Sequence, residues 1–187
     1  MSKIYFATTN EIKFKSGQEA CKKHGLELEQ IFIEVDEIQS EDPQKIIKDK
    51  ITKIFQSVKH PVLVSDDSWS IPALNGFPGP YMKSVNHWFT GQDWVNLMKS
   101  HINKSIFLNN LLAFTDNGMD ITTFEGTAER IFLEKPSGKP GIPVLQATSL
   151  PGHKKPLNEM WEEDSKPIIR SKHVWDDFAN WYKEKYL

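Results

Sequence analysis

An α/β fold follows from three features of this sequence. Residues 3–8 form a short apolar run that reads as a strand, and a helix over residues 11–24 follows at once, with Gly25 placed to end it in the left-handed conformation. The order then repeats. A second strand is expected over residues 31–35, after which Asp42-Pro43 supplies an N-cap and a first-turn proline for a helix carrying Ile46, Ile47, Ile51, Ile54 and Phe55 on one face. Finally, Pro61-Val62-Leu63-Val64 runs straight into Ser65-Asp66-Asp67-Ser68, the pattern of a buried strand delivering acids at its C-terminal end, where open α/β sheets hold ligands.

Beyond these units, Asn75-Gly76-Phe77-Pro78-Gly79-Pro80-Tyr81 is too rich in glycine and proline for a regular element and reads as an ordered loop. A helix is expected near residues 92–100, with Trp94, Leu97 and Met98 inward. Residues 106–114 and 121–133 read as two strands joined by Asp116-Asn117-Gly118, whose Asn-Gly pair suits a hairpin. Residues 135–141 form another loop. The tail over residues 173–186 places Val174, Phe178, Trp181 and Tyr182 at helical spacing, so it should dock on the core.

With 187 residues, 39% of them hydrophobic, the chain can bury one sizeable core, which predicts a single domain, with two lobes on a shared sheet as the other arrangement. The net charge of −2 gives no global electrostatic reason to expect a nucleic-acid partner, so any basic surface must be local, and no apolar stretch approaches the roughly twenty residues of a membrane helix. Neither partner is expected. The lone Cys21 excludes an internal disulfide, falls seven residues after Phe14 on the first helix and reads as core. With no signal-peptide pattern at the start of the sequence, a reducing, cytoplasmic setting is expected.

Three constellations carry chemistry. Thr8-Thr9-Asn10-Glu11-Ile12-Lys13 spans a strand-to-helix junction, where backbone N–H groups and a lysine one turn in make a seat for phosphate; the plainer alternative is an Asn10 N-cap beside a solvated Lys13. The second set is Glu37, Asp66 and Asp67. Adjacent carboxylates stay ionised only near a cation or ample solvent. Magnesium accepts one or two carboxylates plus phosphate oxygens, so Glu37 and Asp66 could hold it and leave Asp67 to orient or deprotonate a water. The three acids are then expected to meet around one ion; alternatively, Asp66-Asp67-Ser68 is a turn and helix cap. The third set is cationic: Lys50, at the border of an apolar helical stripe, and Lys83, after the glycine-proline loop, are placed to bind a triphosphate. His24, His153 and His173 lack zinc-ligand spacing, and Trp161, Trp175 and Trp181 read as packing rather than as base-stacking platforms.

Taken together, these segments resemble the inosine triphosphate pyrophosphatase family, above all through Ala73-Leu74-Asn75-Gly76-Phe77-Pro78-Gly79-Pro80-Tyr81-Met82-Lys83. The resemblance implies an elongated mixed sheet flanked by helices, two lobes with a central cleft, and a homodimer. It matches Thr8, Asn10, Lys13, Lys50 and Lys83 to phosphate-binding positions, Glu37 and Asp66 to metal-associated acids, and Asp67 to the catalytic acid. The implied reaction is attack of water on the α-phosphorus of a nucleoside triphosphate such as ITP, XTP or a deoxy counterpart, with Mg2+, or Mn2+ in its place, as the metal.

Departures cluster near the C-terminus. Leu145 replaces the family's base-reading aspartate, and the Ser-His-Arg run is missing, leaving Lys166, Arg170 and His173 as candidates to replace its contacts. A buried polar group left unpaired costs on the order of 1–3 kcal/mol, so the loss of an acid at position 145 should alter base preference before it alters phosphate chemistry. Two other readings use the same residues: a pyrophosphatase for another modified nucleotide, or a nucleotide-binding protein without turnover.

Overall fold

A computed structural model describes residues 4–163 and 172–187, without the side chains of 161–163, 172 and 173. The chain begins with β1 (Ile4–Ala7), α1 (Glu11–Lys23), β2 (Leu28–Ile31), α2 (Pro43–Val58) and β3 (Val62–Ser70). After a single 3-10 turn at Pro72–Leu74 come β4 (Pro78–Gly79), α3 (Met82–Trp88), α4 (Gly91–Met98), β5 (Ser105–Thr115) and β6 (Thr122–Phe132). The last elements are α5 (Pro143–Ala147), β7 (Thr148–Ser149), α6 (Leu157–Glu163) and α7 (Lys172–Tyr186). Among the described residues, seven strands form one mixed sheet in the order β2-β1-β3-β5-β6-β7, with β4 paired to β3. No helix among them is long and apolar enough to cross a membrane.

Local chemistry accounts for the first helices. Asn10 Oδ1 accepts from the N–H groups of Ile12 and Lys13, both at 3.0 Å, and Gly25 follows α1 at φ 76°. Asp42 caps α2 through Gln44 N–H, with Pro43 in the first turn, and Ile46, Ile47, Ile51 and Ile54 are buried along one face. Helix α4 opens with a reciprocal capping box between Thr90 and Asp93. The hairpin turn places Gly118 at φ 75°, with Asn117 Oδ1 accepting from Met119 and Asp120 N–H.

Two strand boundaries differ from the sequence pattern. The second strand is Leu28–Ile31, not residues 31–35, because parallel pairing with the four-residue β1 runs from Ile4↔Leu28 to Ala7↔Ile31 and then has no further partner. Phe32 is consequently exposed. The third strand does not stop at the acids. Its parallel pairing with β1 ends at Ala7↔Val64, yet it continues to Ser70 because Trp69 and Ser70 pair antiparallel with Gly79 and Pro78 of β4. Asp66 and Asp67 therefore lie within a strand, just beyond the end of β1, rather than in a turn or helix cap. Helices α3, α5 and α6 were not anticipated; each has only five to seven residues, too few for a periodic signal.

Described residues fall into two compact units, one built from the chain up to Asp67, Asn110–Gly126 and the last helix, the other from Ser68–Asn109 and the described residues from Thr127 to 163. In the first, Ile4, Phe6, Leu63, Leu112, Phe114 and Phe178 form a core under α1 and α7, while Ala7, Ile47, Ile51, Val62, Val64 and Leu111 form another under α2. The second unit centres on Trp94, packed with Met98, Ile106, Phe132 and Val144. Trp175 and Trp181 belong to the first core or its margin, which makes them packing residues. Cys21 lies in that core too, its thiol pushed up to about 12 chiefly by burial.

Gly17 lets α7 close on α1. A Cβ there would lie 2.4 Å from Cη2 of Trp175, a clash against a buried indole. Gly17→Ala is expected to destabilise the fold by about 1–3 kcal/mol in denaturant titrations despite the better helix propensity of alanine; a neutral or stabilising result would contradict this packing.

Candidate functional site

The acids of β3 are separated by the pleat. Successive residues of a strand point to opposite faces. Leu63 packs beneath α1 and α7, and Val62 and Val64 beneath α2, so Asp67 shares the α1 face and Asp66 the α2 face. Asp67 Oδ2 forms an ion pair with Lys13 Nζ at 3.1 Å, each side chain only 16% exposed, and its Oδ1 accepts from Asn110 Nδ2 at 2.6 Å. Lys13 is thus not a solvated lysine. Asn10 is the N-cap that the plainer reading foresaw, and its capping fixes the first turn that carries Lys13.

On the α2 face, Lys50 donates to Glu37 Oε1 at 2.6 Å; Lys50 is 19% exposed and Glu37 46%. Neighbouring Lys53 holds the same loop by donating to the Asp36 carbonyl. Burial pushes the Asp66 carboxyl above its ordinary range, and the nearby Glu37 charge adds to this. The Lys13 and Lys50 charges and the Asp67 N–H oppose it. That balance identifies Asp66 as a desolvated acid within the field of both lysines and of Glu37.

The three acids do not converge on one point. Among the described residues, no three carboxylate, imidazole or thiol groups stand together as a preformed metal cage. Strand alternation is the reason: it sends Asp67 to Lys13 and Asn110, and leaves Asp66 and Glu37 as the electrostatically coupled pair. Those two suffice for a hard divalent ion, which takes one or two protein carboxylates and fills its remaining positions with water and phosphate oxygens. The shared demand of Asp66 and Glu37 for positive charge fits such an ion.

Thr8 and Asn10 lie at the junction of β1 and α1. Thr8 Oγ1 accepts from Asn10 N–H at 3.2 Å, and the Thr8 carbonyl accepts from Gln30 Nε2 at 2.9 Å. Lys83 lies in the second unit, exposed on α3, where it lines a surface pocket with Ser84, His87, Trp88 and Ile142. Asn110 is the site residue that sequence reasoning missed, since an Asn inside an apolar strand pattern carries no signal until its neighbour on β3 is known.

Leu145 is on α5 and packs against the Trp94 core, so the residue replacing the family's acid is absorbed by packing. The adjacent Val144 N–H donates to Asn86 Oδ1 at 3.2 Å, and Trp94 Nε1 donates to the same atom at 3.0 Å, joining α3, α4 and α5. Lys166 and Arg170 lie outside the described residues, as does the side chain of His173.

Comparison with known proteins shows the family. A model of the Ham1 family matches residues 4–172. A dITP/XTP pyrophosphatase of Methanopyrus kandleri is 26% identical over 181 residues, covering 97% of this chain and 96% of the relative. One of Saccharolobus solfataricus is 29% identical over 186 residues, covering 98% and 96%. Among solved structures, a HAM1 protein from Coxiella burnetii shares the fold with a TM-score of 0.79 at 19% identity, covering 98% of this chain and 100% of that one. Matched from its first strand to the opening of its last helix, the chain belongs to the Ham1 family, the inosine triphosphate pyrophosphatase family that its motifs resemble.

Proposed function

We propose that this chain hydrolyses a noncanonical purine nucleoside triphosphate, of the ITP, XTP or deoxy kind, to a monophosphate and pyrophosphate. The reading is carried by one observation: two partly buried lysines on separate helices, Lys13 and Lys50, are each paired with a carboxylate beside the desolvated Asp66. Relatives named dITP/XTP pyrophosphatases that span nearly the whole chain support the substrate class.

A triphosphate arriving here exchanges partners with the site. Its oxygens draw Lys13 and Lys50 away from Asp67 and Glu37, and the amides and hydroxyls around Thr8 and Asn10 receive further anionic oxygens. The carboxylates released are then available for chemistry. Asp66 and Glu37 would hold a divalent cation such as Mg2+, which supplies Lewis-acid charge neutralisation at the phosphates when bound. Asp67, oriented by Asn110, accepts the proton of the water that attacks the α-phosphorus. Lysine charge offsets the negative charge that builds on the departing pyrophosphate.

The test is a hydrolysis screen across purine, pyrimidine and deoxy triphosphates with and without Mg2+; no pyrophosphate from any of them would refute the reading. Within an active enzyme, Asp67→Asn should lower kcat about 10²–10⁴-fold with KM little changed, as for loss of a general base. Lys13→Ala should raise KM and lower kcat together.

A pH dependence follows from Asp66. Its folded-state pKa is raised above the ordinary 3.8, so the folded chain holds this proton more tightly than the unfolded chain. The stability it contributes is therefore largest in acid and declines as pH rises past 3.8. In metal-free buffer, Asp66→Asn should raise Tm relative to wild type at pH 7 and lose that advantage toward pH 4, while turnover measured with Mg2+ present disappears. A pH-independent change in Tm would contradict the assignment.

A further inference from the structure

Ser65 is a buried serine, 8% exposed, whose Oγ has no hydrogen-bond partner. Among the described residues, the other buried side-chain atoms without a hydrogen bond belong to groups that are otherwise held: Gln44 and Asn158 donate through their amide nitrogens to Glu125 and the Lys139 carbonyl, and Asp49 Oδ2 is ion-paired with Lys53. Ser65 has only the one polar atom. An unsatisfied buried hydroxyl costs roughly 1–3 kcal/mol relative to a bonded one, so alanine would serve the fold at least as well here.

Its place on β3 gives the hydroxyl a use. Ser65 precedes Asp67 by two residues, so both side chains rise from the same face of the strand, beneath α1, about 7 Å apart at Cα. On that face Ser65 stands between the apolar Leu63 and Asp67, the residue that pairs with Lys13. A hydroxyl rotor moves at little cost, and polar side chains at successive positions of one strand face can share a bridging water.

We propose that Ser65 is a positioning residue for Asp67: when Lys13 turns to an anionic phosphate, the Ser65 hydroxyl, directly or through one water, takes the place of its ammonium. Asn110 holds Oδ1 throughout, and Ser65 holds the Oδ2 side after the exchange, keeping the carboxylate aimed at the attacking water. The inference rests on the hydrolytic reading for its kinetic consequence, but the exchange itself is testable without substrate.

Three measurements decide it. In active protein, Ser65→Ala should leave Tm unchanged or higher and lower kcat roughly 10-fold, the worth of one hydrogen bond, with KM within about twofold; Ser65→Thr, which keeps the hydroxyl, should restore kcat. A kcat for Ser65→Ala within twofold of wild type, or no rescue by threonine, would overturn the proposal. A lower Tm for Ser65→Ala alone would show the hydroxyl already bonded and would also overturn it. In a Lys13→Ala background, where Asp67 has lost the Lys13 ammonium, Ser65→Ala should now lower Tm, and an unchanged or higher Tm there would refute the exchange. A wild-type protein without turnover refutes the hydrolytic reading, and the Lys13→Ala background then decides the role of Ser65 by itself.

Discussion

Continuation of β3 past the end of β1 is the constraint on which the site depends. Where parallel pairing stops at Ala7↔Val64, the strand is still held by β5 and, further on, by β4, so its acids stand on a rigid extended backbone. Extended backbone sends neighbouring side chains to opposite faces. One strand thereby supplies an acid to each of the two helices that flank it, α1 with Lys13 and α2 with Lys50. A turn at the same residues would have put both carboxylates into one solvated loop, with no reason for either to be desolvated.

Electrostatically, the site is a set of balanced but incomplete pairings. Lys13 with Asp67 and Lys50 with Glu37 are close pairs, the first well shielded from water, where removal of either partner leaves a costly charge behind. Asp66 differs: both lysines favour its charge, yet burial prevails. In the proposed reaction, the lysines would take up the charge of a polyanion and the carboxylates that of a divalent cation. The helix ends help, because Asn10 and Asp42 fix the first turns from which Lys13 and, two turns on, Lys50 project.

The second unit is organised around packing rather than charge. Trp94 is buried among Phe77, Phe89 and Phe132, and its indole N–H is satisfied by Asn86, which also receives the Val144 N–H. Leu145 joins this core, so substitution of the expected acid leaves no buried charge to satisfy. A leucine offers no hydrogen bond to a purine edge, and base preference has to rest on other groups.

Sequence by itself determined the helix starts, the glycine stops and the buried stripe of α2, because each depends on a few neighbouring residues whose chemistry is local. It also carried the family resemblance, through a glycine-proline loop whose residue order is specific. Tertiary structure decided what depended on partners distant in the chain. β2 occupies residues 28–31 because a four-residue β1 sets its register; Asp66 and Asp67 part company because β4 and β5 keep β3 extended; and Asn110 and Ser65 acquire meaning only beside Asp67. Propensity acts within a few residues, whereas register and side-chain pairing join residues far apart in the chain, 43 positions for Asp67 and Asn110, which no local pattern encodes.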